Sequence, residues 1–166
     1  MSVAALTAAV LTRELRALRR EIEAYPTDAD LWRLAPGIAN SGGNLALHLA
    51  GNLQHFVGRV LGGSSYVRNR DAEFARRDVP RAEVLAGIDR ALAAVATGLA
   101  GLRDANLDQE FAEPVGKHRL TIAQTLAHLV THCAYHLGQI DYHRRLITGQ
   151  TTTVGAIAPG ELRSTP

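Results

Sequence analysis

Histidines are the side chains in this sequence whose number and spacing could support chemistry. Four of the seven, His128, His132, His136 and His143, fall within sixteen residues towards the end of the chain. Residues four apart on a helix have Cβ atoms roughly 5 to 6 Å apart, so two such imidazoles can reach one metal ion at about 2.0 to 2.1 Å. A histidine pair alone does not make a site, so the rest of the chain has to supply a third ligand.

The segment that carries these histidines has the pattern of a long amphipathic helix. Its apolar residues recur at the helical repeat and form one stripe that faces a core, namely Ile122, Leu126, Leu129, Cys133, Leu137, Ile140 and Ile147. His136 lies about 50° from the middle of this stripe, His132 about 90° away on the same flank, and His128 about 130° away. His132 and His136 therefore border the interior.

A second helix carries a matching polar flank beside its own apolar stripe. The flank residues are spaced 3, 4 and 3 apart, and they are His48, Asn52, His55 and Arg59. His48 and Asn52 lie nearest the interior. We therefore predict that His48 faces His132 and His136, and that the three bind one divalent ion with a position left open for water or substrate. Asn52, one turn after His48, could hydrogen-bond a ligand or orient a histidine.

The other polar candidates have simpler structural explanations. A histidine on a helix flank is more often a hydrogen-bonded boundary residue than a ligand, and the weaker candidates are His55, His118, His128 and His143. We expect solvated charges rather than substrate clamps at Arg59, Arg144 and Arg145. The single cysteine, Cys133, lies near the centre of the apolar stripe, which indicates a small buried thiol rather than a nucleophile.

Four amphipathic helices are predicted to position these side chains. The first covers residues 2 to 25, the second residues 44 to 61 behind a Ser41 cap, the third opens at Pro80, and the fourth follows Thr121 and ends near residue 148. With a long connection between the second and third helices, the pattern predicts an all-α four-helix bundle over residues 1 to 149. Residues 150 to 166 lack a period, so we expect a loosely held tail or one that packs on a neighbouring subunit.

The composition favours one soluble domain and argues against several functional classes. Of 166 residues, 46% are hydrophobic and 20% charged, and no apolar run approaches the roughly 20 residues that a membrane span needs. The pI is about 9.0, but the net charge is +2 and no long basic run occurs, so we expect no nucleic-acid binding. No basic residues precede the apolar N-terminus, so we expect no signal peptide and a cytoplasmic location, with which one cysteine agrees.

Two segments resemble the signatures of the DinB-like superfamily, the group that includes the YfiT-type metal-dependent proteins and relatives of thiol-dependent transferases. The segments are NLALHLAGNL at residues 44 to 53 and HLVTHCAYHLGQI at residues 128 to 140. The resemblance covers most of the chain and implies a four-helix bundle, often a homodimer, with zinc, nickel or a similar ion held by three histidines. By position these are His48, His132 and His136, the residues that the helix faces select independently.

The chain departs from the family pattern at two places. Leu137 stands where an arginine commonly follows the last histidine, and Gly42 and Gly43 begin the second helix where larger residues are usual. The chain therefore lacks, at that position, an arginine that could face a substrate or form a dimer contact.

These observations lead to three functional hypotheses. The first, slightly favoured, is a metal-dependent transferase or isomerase that uses a low-molecular-weight thiol and a small-molecule substrate. The second is a metal-assisted hydrolase in which the histidine-bound ion activates water, and it is disfavoured because the sequence shows no well-placed carboxylate base. The third is a metal-binding or stress-response module without turnover. The sequence does not distinguish among substrates or between zinc and nickel.

Overall fold

The described part of the chain contains six α-helices, and four of them are long. The computed structural model describes residues 1–162. The helices, labelled in chain order, are α1 (Val3–Glu23), α2 (Asp28–Trp32), α3 (Gly42–Leu53), α4 (Arg70–Ala75), α5 (Arg81–Ala100) and α6 (Ile122–Thr148). No β-strand occurs in these residues, and the four long helices pack together, which confirms the predicted all-α four-helix bundle. In the same residues no helix is long and apolar enough to cross a membrane.

The four long helices run up, down, down and up in chain order. Helices α1 and α5 are antiparallel, with contacts Val3–Asp104 and Arg19–Asp89. Helices α3 and α5 are parallel, with close approaches Ala50–Gly87 and Gly58–Ala94. Helices α3 and α6 are antiparallel, with close approaches Gly42–His143 and His48–His132. Because α3 and α5 are parallel, the connection between them has to return along the bundle. The short helix α4 lies in this crossover and packs on α3.

The apolar stripes of the long helices form one core. In α6 the predicted stripe from Leu126 to Ile140 is buried, with each stripe residue at most 2% exposed. In α5 the buried face includes small residues such as Gly87 and Gly98 as well as Ile88 and Val95. A Cβ on Gly98 would lie 2.3 Å from the Val57 carbonyl oxygen. The close approach of two backbones therefore selects the inward face of α5.

The second long helix changes its hydrogen-bond pattern halfway, whereas its sequence predicts one α-helix through residue 61. The chain continues from α3 as a π-helix over Gln54–Leu61. The amide of Gly62 donates to the carbonyl of Val57, five residues back, at 3.0 Å. This wider segment lies against α5, and a Cβ on Gly58 would be 2.9 Å from the Cβ of Ala94. Its departure from the α-helix thus coincides with close helix packing, which local periodicity does not reveal.

Helix caps occur at the predicted residues. The Ser41 side chain accepts a hydrogen bond from the amide of Asn44 at the start of α3. Thr121 and Gln124 form a capping box at the start of α6, and Gly149 closes that helix with φ 72°. These caps fix the ends of the two helices that carry the histidine candidates.

The two glycines that depart from the DinB-like pattern make room for aromatic side chains. A Cβ on Gly42 would lie 2.2 Å from the hydroxyl oxygen of Tyr25, and one on Gly43 would lie 2.6 Å from the Trp32 ring. The indole N–H of Trp32 donates to the carbonyl of Val79 at 3.0 Å, which ties the first connection to the crossover. The small residues therefore permit aromatic packing at this end of α3.

Arg144 is buried, and the prediction of a solvated charge there is wrong. The residue is 0% exposed, and its guanidinium donates to Glu21 of α1 and to Asp141. Arg144 follows Ile140 by one helical turn and so continues the core stripe. The counter-charge on α1 makes burial of the guanidinium possible.

The described part of the tail contacts α1 and α6 and includes a short 3-10 helix over Pro159–Leu162. Its polar contacts with the long helices include Arg20 with Val154 and Glu161, and Arg144 with Gln150 and Thr152. Packing of the tail on a neighbouring subunit stays a prediction. Residues 163 to 166 of the predicted tail lie outside the described residues.

Candidate metal centre

Three histidines from α3 and α6 meet at one side of the bundle. The Nε2 atoms of His48 and His132 are 3.1 Å apart. The His136 ring centroid lies 5.2 Å from that of His48 and 4.6 Å from that of His132. One ligating nitrogen of each residue lies within 4.8 Å of the other two. The structure thus brings together the three residues selected from the sequence, in a cluster that could hold a metal ion.

One pair of nitrogens in this cluster has the spacing expected of two ligands of one metal ion. Two nitrogens that bind one tetrahedral zinc ion at about 2.0 to 2.1 Å are roughly 3.3 Å apart. The separation of 3.1 Å between His48 and His132 agrees with that value. The three rings are nearly perpendicular in pairs, at 78°, 88° and 87°. The three rings therefore meet edge to face and do not stack on one another.

A carboxylate from α4 orients His48. The Nδ1–H of His48 donates to Oε2 of Glu73 at 2.9 Å, and both side chains are 7% exposed. Because an ionised carboxylate only accepts hydrogen bonds, the proton of neutral His48 is on Nδ1 and the lone pair of Nε2 faces the cluster. A carboxylate behind a metal-binding histidine commonly fixes the ring in this way and raises its basicity.

Arg68 keeps the carboxylate of Glu73 ionised. Its Nε and Nη2 atoms donate to the two carboxylate oxygens at 2.7 and 2.8 Å. Burial raises the pKa of Glu73, but the hydrogen bonds from Arg68 and His48 outweigh burial and hold the pKa below its usual range. A Cβ on Gly51 would lie 2.1 Å from Oε1 of Glu73. The missing side chain at Gly51 therefore lets the carboxylate reach His48.

Sequence patterns do not identify Glu73, Arg68 or Gly51 as part of the site. Glu73 lies in the polar connection RNRDAEFARRD, which has no helical period long enough to predict its direction. One available signal is Asn69, which caps α4 ahead of acidic residues in the first turn. That signal predicts a helix start but not the path of the crossover across α3.

His136 and His132 differ in how their second ring nitrogen is placed. The Nδ1–H of His136 donates to Oε1 of Gln139 at 2.7 Å, which leaves the Nε2 lone pair free. Nδ1 of His132 is buried and has no hydrogen-bond partner within residues 1–162. Burial, together with the neighbouring His136 and His48, lowers the pKa of His132 to about 3. Burial also lowers the pKa of His136, so both rings are neutral at neutral pH, as metal ligands require.

The histidine cluster opens onto a cleft of about 750 Å³. The walls of this cleft also contain Asn40, Arg70, Asp71, Phe74 and Ala75. The Phe74 ring lies 4.7 Å from the His48 ring, and the guanidinium of Arg70 lies 5.1 Å above Phe74. One positive and one negative side chain, Arg70 and Asp71, therefore flank the open side of the cluster.

Asn52 is close to the cluster but makes no hydrogen bond to its three histidines within residues 1–162. The residue is 6% exposed, and its side-chain oxygen is buried without a partner in the described part of the chain. Asn52 is also not one of the residues that line the cleft. The orienting role predicted for Asn52 is performed at His48 by Glu73, and a ligand-binding role for Asn52 stays a prediction.

The remaining histidines lie outside the cluster. His118 and His128 are exposed, as their positions in a loop and on the outer face of α6 indicate. The Nε2 atom of His55 lies 3.0 Å from Oε2 of Glu113. His143 is buried at the far end of α6 and hydrogen-bonds through both ring nitrogens.

The cysteine and the two surface arginines also take structural positions. Cys133 is 1% exposed, and burial raises the pKa of its thiol to about 12, so it is the buried residue that its position on the stripe predicts. Arg59 and Arg145 lie at the surface and pair with Glu113 and Asp141, respectively. None of these three side chains lines the cleft.

The fold and the cluster define a class: an all-helical bundle in which three histidines beside an open cleft could hold one metal ion. The chain belongs to the DUF1572 family, whose description is a protein of unknown function and whose model matches residues 7–161. No curated protein matches the chain. The bundle and the three-histidine cluster are consistent with the resemblance to the DinB-like superfamily, which the family match itself does not name.

Proposed function

We propose that the protein binds one divalent metal ion through His48, His132 and His136 and uses it in the reaction of a low-molecular-weight thiol with a small-molecule substrate. The observation that carries this proposal is the convergence of three imidazoles beside an open cleft, with Glu73 and Gln139 hydrogen-bonded to two of the rings. Three protein ligands and an open position are typical of catalytic rather than structural zinc sites. Zinc and nickel both accept imidazole ligands.

A divalent ion held there would lower the pKa of a thiol or water at its open position and would polarise a substrate oxygen or sulfur. Three neutral imidazoles do not compensate the charge of a divalent cation, so the site favours an anionic fourth ligand. The guanidinium of Arg70 at the cleft wall can pair with an anionic group on the substrate, although the carboxylate of Asp71 on the same wall offsets its charge. Glu73 is held behind His48 by Arg68 and does not add a ligand.

The thiol has to come from outside the protein. The single cysteine, Cys133, is buried in the core and its pKa is raised to about 12. In the proposed reaction the sulfur of the added thiol bonds to an electrophilic carbon of the substrate, and the thiol proton passes to solvent. The leaving group departs with the electron pair of the broken bond. A cleft of about 750 Å³ has room for both reactants.

A metal-assisted hydrolase is the second candidate, and the position of Asp71 favours it. No carboxylate base is evident from the sequence, but the carboxylate of Asp71 forms part of the cleft wall. A carboxylate there can take a proton from a water that attacks an ester or amide. If the protein is a hydrolase, Asp71→Asn reduces cleavage; if it is a thiol transferase, the same variant still binds the thiol.

Cobalt substitution distinguishes these candidates. We expect one equivalent of cobalt per chain and a change in its absorption spectrum when glutathione or mercaptoethanol is added. His48→Ala and His136→Ala should lose the metal, whereas His118→Ala, an exposed histidine of a loop, should retain it. A hydrolase instead gives ester or amide cleavage that disappears on chelation, without a thiol-dependent spectrum. A binding module binds cobalt tightly and shows neither the thiol-dependent spectrum nor cleavage. Full metal content in both alanine variants refutes the ligand assignment.

A further inference from the structure

A second cavity adjoins the metal cleft along the outer face of α6. It has a volume of about 630 Å³, and His136 and Asn40 line both this cavity and the cleft. Its apolar lining comes from α6, from the start of α3 and from the connection before α3. The large apolar residues are Ile38, Leu45, Tyr135, Tyr142 and Leu146. We call this cavity the apolar groove. A molecule in the cleft can therefore extend into it past His136.

The large side chains that α6 contributes to the apolar groove are exposed. Tyr135 is 65% exposed, Tyr142 74% and Leu146 64%. Their spacing of 7 and 4 residues puts them on one face of α6, opposite the stripe that enters the core. Single exposed apolar residues are ordinary, but a concave set of them beside polar groups is typical of a ligand site. These residues are not needed for the core of the bundle.

We propose that the apolar groove binds an alkyl or aromatic group of the substrate whose polar reacting end lies at His48, His132 and His136. This inference rests on the proposed function. The volume of about 630 Å³ lies within the range of small-molecule sites, roughly 300 to 1,000 Å³. Polar groups occur where the groove meets the cleft, at His136, Gln139 and Asn40. The substrate class is therefore amphipathic, with a polar or anionic head and an apolar tail or ring.

Two other occupants fit the contacts less well. The described part of the C-terminal tail contacts Arg20 and Arg144, and none of residues 150–162 lines the groove. A second copy of the chain seated here would also cover His136 and Asn40, which belong to the cleft. A small molecule, by contrast, uses the continuity of groove and cleft.

A homologous series of thiols tests the inference. Ethanethiol, butanethiol and hexanethiol are titrated into the cobalt-substituted protein, and the dissociation constant is taken from the absorption change. Each methylene that enters the groove should strengthen binding about threefold to fourfold. Leu146→Ser and Tyr142→Ser should flatten this dependence, because they remove apolar surface from the groove. Leu6→Ser is the matched control, since Leu6 is an apolar residue of α1 that is 44% exposed and does not line the groove.

A second experiment, on the metal-free protein, tests the apolar groove independently of the metal site. An anilinonaphthalene sulfonate dye is bound to the metal-free protein and displaced with hexanol; Leu146→Ser and Tyr142→Ser should weaken dye binding, and Leu6→Ser should not. If thiols change the cobalt spectrum but chain length has no effect, the groove inference fails and the proposed function stands. If no thiol changes the spectrum, the proposed function fails, and dye binding alone decides whether the groove takes apolar ligands. If Leu146→Ser converts a dimer to a monomer without altering either titration, a second copy occupies the groove and the inference is overturned.

Discussion

Two histidines on one flank of α6 differ in what their ring nitrogens contact. His143 is 3% exposed, and its Nε2–H donates to the carbonyl of Arg33 at 2.8 Å while Nδ1 accepts from the Tyr25 hydroxyl at 2.6 Å. His136, two turns earlier, donates through Nδ1 and leaves Nε2 beside His48 and His132. A position on this flank therefore does not by itself make a histidine a ligand. A ligand needs one nitrogen without an ordinary partner and an open cleft beside it.

Two arginine–carboxylate pairs with little exposure to solvent, Arg144–Glu21 and Arg68–Glu73, also have different roles. Arg144 and Glu21 join α6 to α1, and the guanidinium also holds the tail. Arg68 and Glu73 belong to the crossover, and one oxygen of Glu73 also accepts the proton of His48. The first pair joins two helices of the bundle through Oε2 of Glu21, whereas the second orients a ring that faces the cleft. The same type of ion pair therefore joins helices in one place and supports the proposed metal site in the other.

The largest expected effect is on metal content, and it separates the cleft histidines from His143. His48→Ala removes one of the three proposed ligands, so we expect metal affinity to fall by more than the roughly hundredfold that loss of an orienting partner causes. His143→Gln should keep stoichiometric metal. Elemental analysis after dialysis measures both, with circular dichroism to verify helix content. Loss of metal from a well-folded His143→Gln protein would remove the contrast between the two kinds of histidine.

The next largest effect is on stability and concerns the buried Arg144–Glu21 pair. Arg144→Met leaves Glu21 buried without its partner, and loss of one partner of a buried ion pair costs about 3 to 5 kcal/mol. Urea unfolding of the metal-free protein should show this loss, while the folded variant binds metal like the parent chain. Arg59→Met, at a surface pair, is the control and should change the free energy of unfolding by less than about 1 kcal/mol. Equal effects of the two substitutions would contradict the structural role of Arg144.

Helix periodicity suffices to predict the convergence of His48, His132 and His136, because spacing along a helix determines the direction of each side chain. The same geometry places Arg144 on the core stripe, but the charge alone suggests solvent, and the counter-charge of Glu21 lies on a different helix. Assigning Arg144 correctly therefore requires knowing which helices are neighbours.

Glu73 and the π-helical segment could not be predicted, since both depend on contacts between distant parts of the chain. Glu73 reaches His48 because the crossover passes over α3 where Gly51 has no side chain. The π-helix over Gln54–Leu61 lies where the backbone of Val57 meets Gly98. In neither case does the local sequence contain the partner. Local patterns therefore predict the ligands of the candidate site but not the residue that orients His48.

The third effect is on metal affinity and tests whether Glu73 orients a ligand. Glu73→Gln keeps the size of the side chain but removes its charge, and we expect metal to bind about tenfold to hundredfold more weakly. Competition with a chromophoric chelator gives the affinities. Glu83→Gln is the control, because Glu83 pairs with Arg76 at the surface and does not touch a histidine. Equal metal affinity of both variants and the parent chain would mean that Glu73 does not orient a metal ligand.

The smallest effect is on the pH dependence of stability and tests whether His143 is held neutral. Burial lowers the pKa of His143 by more than its hydrogen bond to Arg33 raises it. Above the unfolded pKa of about 6.5 both states are neutral, and this residue adds no pH dependence. As the pH falls below about 6.5, the unfolded chain takes up a proton that the folded chain resists, so stability decreases by at most about 1.4 kcal/mol per pH unit.

His143→Gln should therefore flatten the curve of unfolding free energy against pH below about 6.5. His118→Gln, at an exposed histidine, should leave the shape of that curve unchanged. The slope is the informative quantity, because the His143→Gln variant also loses hydrogen bonds and is less stable at every pH. Parallel curves for His143→Gln and the parent chain would mean that His143 takes up a proton as readily folded as unfolded. Burial and two hydrogen bonds would then not distinguish His143 from the histidines beside the cleft.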